Sequence, residues 1–268
     1  MTAQRELAAQ FLSLHRPGEP LLTPNPWDAG SARLMQWMGF KALATTSIGS
    51  AASCGRADGG LSESEVMAHV STITSATDLP VSADLENCFA AAGDLDGVTV
   101  AASHAVKAGL AGFSIEDYGD GVIYDRALAS RRVAAAAAVA HRAGLVLTAR
   151  AENHFRGRED LADTISRLVA YQEAGADVLY APGLVSSAQI AAVLAAVERP
   201  LNVLARPGVP AVRELAALGV SRVSVGGAFT FAAVQAMIEA GQELLEHGTY
   251  SFTGAAAKGL AAARAAFC

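Results

Sequence analysis

The stretch "PVSADLENCFA", residues 80–90, sets two carboxylates, Asp84 and Glu86, two positions apart at the end of an apolar run. Side chains alternate faces along an extended segment, so these two acids point the same way. Arg150 and Glu152 repeat the arrangement after "LVLTA", and Glu116 closes "GFSIE". Asp117 follows directly, and two neighbours cannot both face inward while a strand continues; Glu116, the last residue of the regular run, is taken as the inward one. Carboxylates gathered without matching cations repel, so at neutral pH they need protons or a cation. Asp and Glu without Cys or His nearby suit a hard ion with oxygen ligands, Mg²⁺ or Mn²⁺. Mg²⁺ needs only one or two direct carboxylates, and the remaining acids can hold its waters. The alternative is an ion-pair network in which Arg56, Arg150 and Arg206 neutralise the acids. The residue pattern alone leaves both open.

A second candidate is "LATTSIGSAASCGRADGG", residues 43–60. Small hydroxyl and glycine residues after a strand expose backbone N–H groups that can hold a carboxylate or an oxyanion. A plain flexible loop is the other reading. "SVGGAF", 224–229, is similar to the phosphate-binding turn after the last strand of many barrels, though Gly-Gly before a helix is also an ordinary turn. Among single residues, Asn202 lies at a strand end, and Trp27 either walls a pocket or packs in the core or an interface. Tyr118 and Tyr124, flanking Gly119 and Gly121, either donate a proton from a lid or pack beneath it. His154 could carry a proton, a solvated loop histidine being the plainer reading. Cys88 reads as a small packing residue, and Asp28 as the cap of a helix from Ala29.

What must position these groups is a run of short strands alternating with helices. Strands are expected at Leu21–Asn25, Ala42–Thr46, Pro80–Asp84, Gly112–Glu116, Leu145–Arg150, Asp177–Ala181, Leu201–Ala205 and Arg222–Val225. Helical periodicity marks Ala29–Met38, Glu63–Ser75, Leu95–Ala108, Asp125–Ala143, Asp160–Ala174, Ser187–Val197, Ala211–Leu218 and Phe229–Glu246. Several of these close on Gly, the usual stop signal past a helix end. Eight β-then-α units in one uninterrupted chain predict a single (β/α)₈ TIM barrel over residues 1–268, with the candidate groups at the strand C-termini that form its active face. A doubly wound open sheet is the alternative, but the first turn, "NPWDAGSA", is no GxGxxG. Residues 1–20 read as an amphipathic helix ended by Pro-Gly and not as a signal peptide. An extra Ala-rich helix over roughly Thr253–Ala266 is a poor surface helix alone and is expected to pack on another subunit.

The composition agrees. The chain has 268 residues, 52% hydrophobic and 17% charged, with net charge −6, so neither a nucleic-acid groove nor a basic membrane-binding face is expected. "RRVAAAAAVAHRAG" is too short to span a bilayer. Cys54, Cys88 and Cys268 form no CxxC pair, which fits a reduced, cytoplasmic protein.

In order along successive strands, "NPWDAGSARL", "ALATTSIGSAAS", "VSADLEN", "SIED", "LTARAEN" and "PLNVLA" resemble the isocitrate lyase / phosphoenolpyruvate mutase superfamily, and its short single-domain members in particular, from about residue 11 to about 240. The resemblance implies a barrel whose C-terminal helices, 229–268, are exchanged with a partner subunit, in dimers that pair into homotetramers. It implies Mg²⁺ (or Mn²⁺) and chemistry on small 2-oxo acids or their enolates. Carried over by motif, Asp84, Glu86 and Glu116 would hold the metal and its waters, and Asp58 of "GRADG" would reach its water shell. Thr46, Ser47 and Ile48 match the tripeptide on the substrate carboxylate and oxyanion. Arg150 matches the arginine that steadies the enolate.

The departures from that pattern are informative. Superfamily lyases that cleave isocitrate or methylisocitrate carry a Cys in a "KKCGH"-type loop, where this chain reads "EDYGDGVIYDR", so isocitrate cleavage is not expected. A His after the sixth strand in phosphonate-processing members is replaced by the text "LYAPGL". The expectation is therefore a Mg²⁺-dependent lyase cleaving a C–C bond of a small 2-oxo acid through an enolate, in the manner of an oxaloacetate decarboxylase. A P–C bond enzyme of the phosphonopyruvate hydrolase or mutase type and a non-catalytic metabolite-binding barrel are the alternatives.

Overall fold

Eight short apolar runs pair side by side as parallel strands in the computed structural model, which describes residues 3–267. The chain begins α1 (Ala3–Ser13), β1 (Leu21–Thr23), α2 (Ala29–Trp37), β2 (Leu43–Ala44), α3 (Ser47–Ser53), α4 (Glu63–Thr74), β3 (Val81–Asp84) and α5 (Leu95–Lys107). It continues β4 (Gly112–Glu116), β5 (Tyr118–Gly119), β6 (Val122–Ile123), α6 (Arg126–Ala143), β7 (Val146–Arg150), α7 (Leu161–Glu173) and β8 (Val178–Tyr180). It ends α8 (Ser187–Ala196), β9 (Leu201–Leu204), α9 (Val212–Leu218), β10 (Arg222–Ser224), α10 (Ala228–His247) and α11 (Thr253–Phe267). The barrel order is β1-β10-β9-β8-β7-β4-β3-β2. Its seam is bridged where the Ala44 N–H donates to Pro24 O at 3.1 Å and Asn25 Nδ2 donates to Thr45 O at 3.0 Å. This is the expected (β/α)₈ barrel, with each strand inside its predicted run.

Three segments differ from expectation. The N-terminal helix stops at Ser13, and Pro17 and Gly18 lie in a turn closed by the Arg16–Glu19 bridge. The hydroxyl-rich stretch folds a helix, α3, in place of a flexible loop. The Tyr118–Tyr124 segment forms a small antiparallel hairpin, β5 paired with β6.

The packing follows from side-chain size. α1 plugs the strand N-terminal end: Ala8 and Phe11 pack with Leu21, Ala42, Ala111, Val146 and Val178. Gly112 starts β4 because a Cβ there would stand 2.5 Å from Val146 O and 3.3 Å from the Phe11 ring. Outside the barrel, α5 and α6 face each other through buried alanines, Ala101, Ala102 and Ala105 against Ala136, Ala137 and Ala140. Gly144, at φ 82, ends α6 in the left-handed conformation that other residues resist. α10 buries only Thr230 and α11 buries none, and Met237, Ile238, Leu245 and Leu260 are exposed; within the chain α11 rests on α2. No helix among the described residues is long and apolar enough to cross a membrane.

Candidate active site

The strand C-termini bring Arg150 among the acids. At the tip of β7 its Nη1 lies 3.7 Å from Asp84 and 3.5 Å from Glu116, and its Nε donates to the fully buried Glu152. Arg156, one helical turn past Glu152, pairs with Glu152 at 2.9 Å and Glu116 at 3.8 Å. Burial alone would lower the Arg150 guanidinium, but Glu116, Glu152 and Asp84 together hold it well above its ordinary value, firmly charged. Burial drives the Glu116 carboxyl well up; Arg150 opposes this, while Glu152 and Asp84 add to it. Asp117 turns the other way, to Arg167 Nη1 at 3.0 Å and the Tyr171 hydroxyl, and accepts the Glu152 N–H at 2.8 Å. Of the two adjacent acids, Glu116 therefore serves the site and Asp117 anchors the strand end from outside.

Glu86 is held by a strained turn. It takes φ 49, and Cys88 and Phe89 are also left-handed, a conformation that costs non-glycine residues of order 1–3 kcal/mol each. Arg132 of α6, buried, over-determines the turn by donating to the carbonyls of Asn87, Ala90, Ala91 and Ala92. Within the turn the Glu86 N–H donates to Asp84 Oδ1 at 3.3 Å. Asp84 faces a cavity of about 160 Å³ together with Thr46, Ser47, Ile48, Arg150 and Asn202. Glu86, Glu116 and Tyr118 line an adjoining cleft, and Asp58 borders both spaces. The four acids predicted to hold a metal thus line two neighbouring spaces that share Asp58, and Arg150 reaches both Asp84 and Glu116.

Amide groups complete the cavity wall. The N–H groups of Ser47, Ile48 and Gly49 precede the first intrahelical bond of α3, Ser50 N–H to Thr46 O at 2.9 Å, and Thr46 supplies no side-chain cap. Gly49 lets α3 seat tightly, since a Cβ there would meet Thr46 at 2.5 Å and Thr230 at 2.8 Å. Thr45 Oγ1 accepts the Asp84 N–H at 3.0 Å, tying this loop to the acid. Asn25 Oδ1 accepts the N–H groups of Val225 and Gly226 at 3.0 and 2.9 Å, fixing the last turn against the first strand.

The donors suit a hard dication held largely through water. Among the described residues no three His, Cys, Asp or Glu side chains converge to ligate one ion. Yet the Glu86 carboxyl is pushed up to about 7, by burial first and then by Asp84 and Asp58, with Arg150 and Arg156 only partly offsetting them. Negative charge here exceeds what the arginines neutralise, and the donors are all oxygen. Asp84 would be a direct ligand, with Asp58 and Glu86 reaching the ion's waters, which Mg²⁺ accepts. The ion-pair network is also present in part, but with Arg156 in it: Arg56 pairs with Glu65 at 2.8 Å, and Arg206 lies over Phe155.

Other candidates lie apart. Trp27 packs on the core and does not line the cavity. Tyr118 stacks 3.8 Å under Arg156; Tyr124 is buried, its hydroxyl accepting from Asn87 Nδ2 at 3.0 Å. His154 is not solvated: it is buried, its Nδ1 2.8 Å from Thr164 Oγ1, and burial lowers it. Cys88 is buried, and burial raises its thiol to about 12, as suits packing. Asp28 caps α2 by accepting the Ser31 N–H at 2.6 Å. Four lining or contacting residues carried no signal in the sequence reading: Phe155, Arg156, Tyr180 and Arg222. Tyr180 lies 5.3 Å from the Arg150 guanidinium and walls the cavity.

Comparison with known proteins gives this geometry a lineage. A Burkholderia cenocepacia structure provisionally assigned as a lyase/mutase superposes with TM-score 0.90 at 48% identity, covering 94% of this chain and 92% of that one. Oxaloacetate acetylhydrolase in complex with oxalate superposes with TM-score 0.83 at 26% identity, covering 92% and 89%. The 2-methylisocitrate lyase of Halalkalibacterium halodurans is 31% identical over 209 residues, 74% of this chain and 67% of that protein. Residues 11–245 match the phosphoenolpyruvate phosphomutase family. Members of the superfamily around it are lyases and mutases that generally depend on Mg²⁺. The chain belongs to the phosphoenolpyruvate phosphomutase family, within the isocitrate lyase / phosphoenolpyruvate mutase superfamily.

Proposed function

We propose that this chain is a Mg²⁺-dependent lyase that breaks a carbon–carbon bond of a small 2-oxo acid by way of an enolate. Oxaloacetate decarboxylation is the first case to test. The observation that carries the reading is the place of Arg150, a firmly charged guanidinium among three carboxylates, on a cavity whose wall includes the free amides of α3. Two relatives whose names concern oxaloacetate and 2-methylisocitrate support it.

In this reading the Ser47 and Ile48 amides and the Thr46 and Ser47 hydroxyls receive the substrate carboxylate. Arg150 stands against the oxygen where negative charge grows as CO₂ leaves, and because the acids already fix its orientation, little reorganisation is needed. Asp84, with Asp58 and Glu86 through water, would hold the ion. Bound there, it would supply a fixed positive charge favouring the enolate over the keto form. The proton returned to carbon would come from solvent, Tyr118 lying on the adjoining cleft with Glu116 and Arg156 and not on the substrate cavity. An oligomer that exchanges α10 and α11 belongs to the same proposal, supported by the apolar side chains these helices leave exposed.

The test is pyruvate release from four- and five-carbon 2-oxo acids, with Mg²⁺ and with chelator, for the wild type and Asp84→Ala. Activity should fall roughly 100-fold or more on either change. Full activity in Asp84→Ala without Mg²⁺ would sink the proposal. Phosphate release from phosphonopyruvate would move the reading to P–C chemistry. Tight binding without turnover would leave a metabolite-binding barrel.

A further inference from the structure

Arg222 opens β10, and with Ser224 it faces the barrel interior, where it lines the same cavity as Arg150. It is buried, no carboxylate among the described residues pairs with it, and burial lowers it to about 10. Its Nη1 has two long contacts, to His15 Nε2 and to Thr148 Oγ1, each 3.4 Å. The His15 Nδ1–H donates to Phe11 O at 2.8 Å, which leaves Nε2 as a neutral acceptor. Arg222 Nε has no partner at all, and neither has Asn202 Oδ1, a buried group on the same cavity and next to Arg222 in register. A buried guanidinium normally has an anion and most of its donors filled. Here the charge is unmatched, Nε is free and Nη1 only loosely engaged, and the space beside it is the substrate cavity.

We propose that Arg222 receives a second anionic group on the substrate, so that the site selects dianionic 2-oxo acids over monoanionic ones. This rests on the function proposed above, in which Arg150 and α3 hold the 2-oxo acid end. The second group enters the cavity floor and fills Arg222's open donors. Asn202, whose amide can turn over to exchange its Ser224 partner, supplies a further donor. The recognised chemistry is a carbon-linked carboxylate or phosphonate. The proposal assigns Arg222 a role in binding and specificity; with oxaloacetate the group it holds is the carboxylate that later departs, so the role is read in affinity and not in kcat.

The experiment measures equilibrium affinity in Mg²⁺ for 2-oxobutyrate, which has no group to lose and serves as the inert monoanion, against oxaloacetate and phosphonopyruvate, with the wild type, Arg222→Gln and Arg222→Lys. The wild type should favour at least one dianion over 2-oxobutyrate by roughly 10- to 100-fold, the yield of one charge-assisted pair. Which dianion it favours separates carboxylate from phosphonate. Arg222→Gln should erase that preference by weakening the dianions while leaving the affinity for 2-oxobutyrate nearly unchanged, and Arg222→Lys should keep part of it. A wild type that takes 2-oxobutyrate as well as the dianions overturns this inference alone. So does an Arg222→Gln variant that weakens all three ligands equally. A wild type that binds no 2-oxo acid overturns both this and the proposed function.

Discussion

Two arginines, Arg150 and Arg222, line the barrel cavity, and they keep opposite company. Arg150 has Asp84, Glu116 and Glu152 around it and is driven well above its ordinary pKa. Arg222 has a neutral histidine, a threonine and a cavity, and burial lowers it to about 10. Arg150 is held in place by charges that belong to the protein, so it can meet developing charge without moving. Arg222 lacks any such partner, which is costly unless something anionic arrives. One arginine is preorganised, and the other is left waiting.

The largest expected effect tests the first half of that contrast. Arg150→Gln should cut turnover about 10³-fold, the scale of losing a principal charge-stabilising donor. It also strands Glu152 and Glu116 with only Arg156, so unfolding free energy at pH 7 should drop by about 3–5 kcal/mol. Stranded acids are relieved by protons, so the drop should shrink as pH falls; urea unfolding at several pH values reads this. Arg222→Gln, by the same measurement, should cost far less or stabilise, because it deletes an unmatched charge. Equal destabilisation by the two variants would erase the distinction.

How much of this contrast is legible in the sequence depends on where each residue sits along its strand. Arg150, Asp84 and Glu116 close regular strands, so alternation places them on one face at the active end. Arg222 opens its strand, at the end read as structural, and its contact with Thr148 spans 74 positions of chain, which only the closed register reveals. The turn that carries Glu86 was hidden because its left-handed φ depends on Arg132, which holds the next residue's carbonyl from a distant helix. α3 was hidden because "SIGSAAS" lacks an apolar stripe; the face it buries is Gly49, Ser50 and Ala51, too small and polar to read as one. The strands and most helices, by contrast, follow apolar periodicity and glycine stops, which are local.

The acid response separates the two arginines next. His15, against Arg222, is lowered to about 3 by burial first and Arg222 second. Its imidazole is neutral when folded and takes a proton on unfolding below its ordinary value of 6.5. Stability from His15 is therefore fully present above that value and is lost as pH falls toward 3. Glu86, raised to about 7, acts in the opposite sense: its folded cost fades as pH drops through 7 toward 4.5. The two offset each other between 4.5 and 6.5, so the wild-type curve alone hides them. His15→Gln uncovers the first: the stability difference between wild type and variant should shift against the wild type by about 1.4 kcal/mol per pH unit from pH 6 to 4. A difference that does not change with pH would mean that His15 is not held neutral beside Arg222.

The smallest effect concerns the residue shared by both arginines. Tyr180 lies 5.3 Å from the Arg150 guanidinium and lines the same cavity as Arg222; burial raises its hydroxyl to about 12, so it is a neutral phenol. Tyr180→Phe keeps the ring under Arg150, and with it a contact of about 0.5–2 kcal/mol. It removes only the hydroxyl on the Arg222 side. If the two arginines divide the work as described, kcat should change less than about threefold, and any loss should fall on KM for dianionic substrates, consistent with one neutral hydrogen bond. Tyr180→Leu, which deletes the ring, should lower kcat further by loosening Arg150. A collapse of kcat in Tyr180→Phe would instead make the phenol a proton donor in the reaction, and Arg150 could no longer be treated as acting independently of the cavity floor.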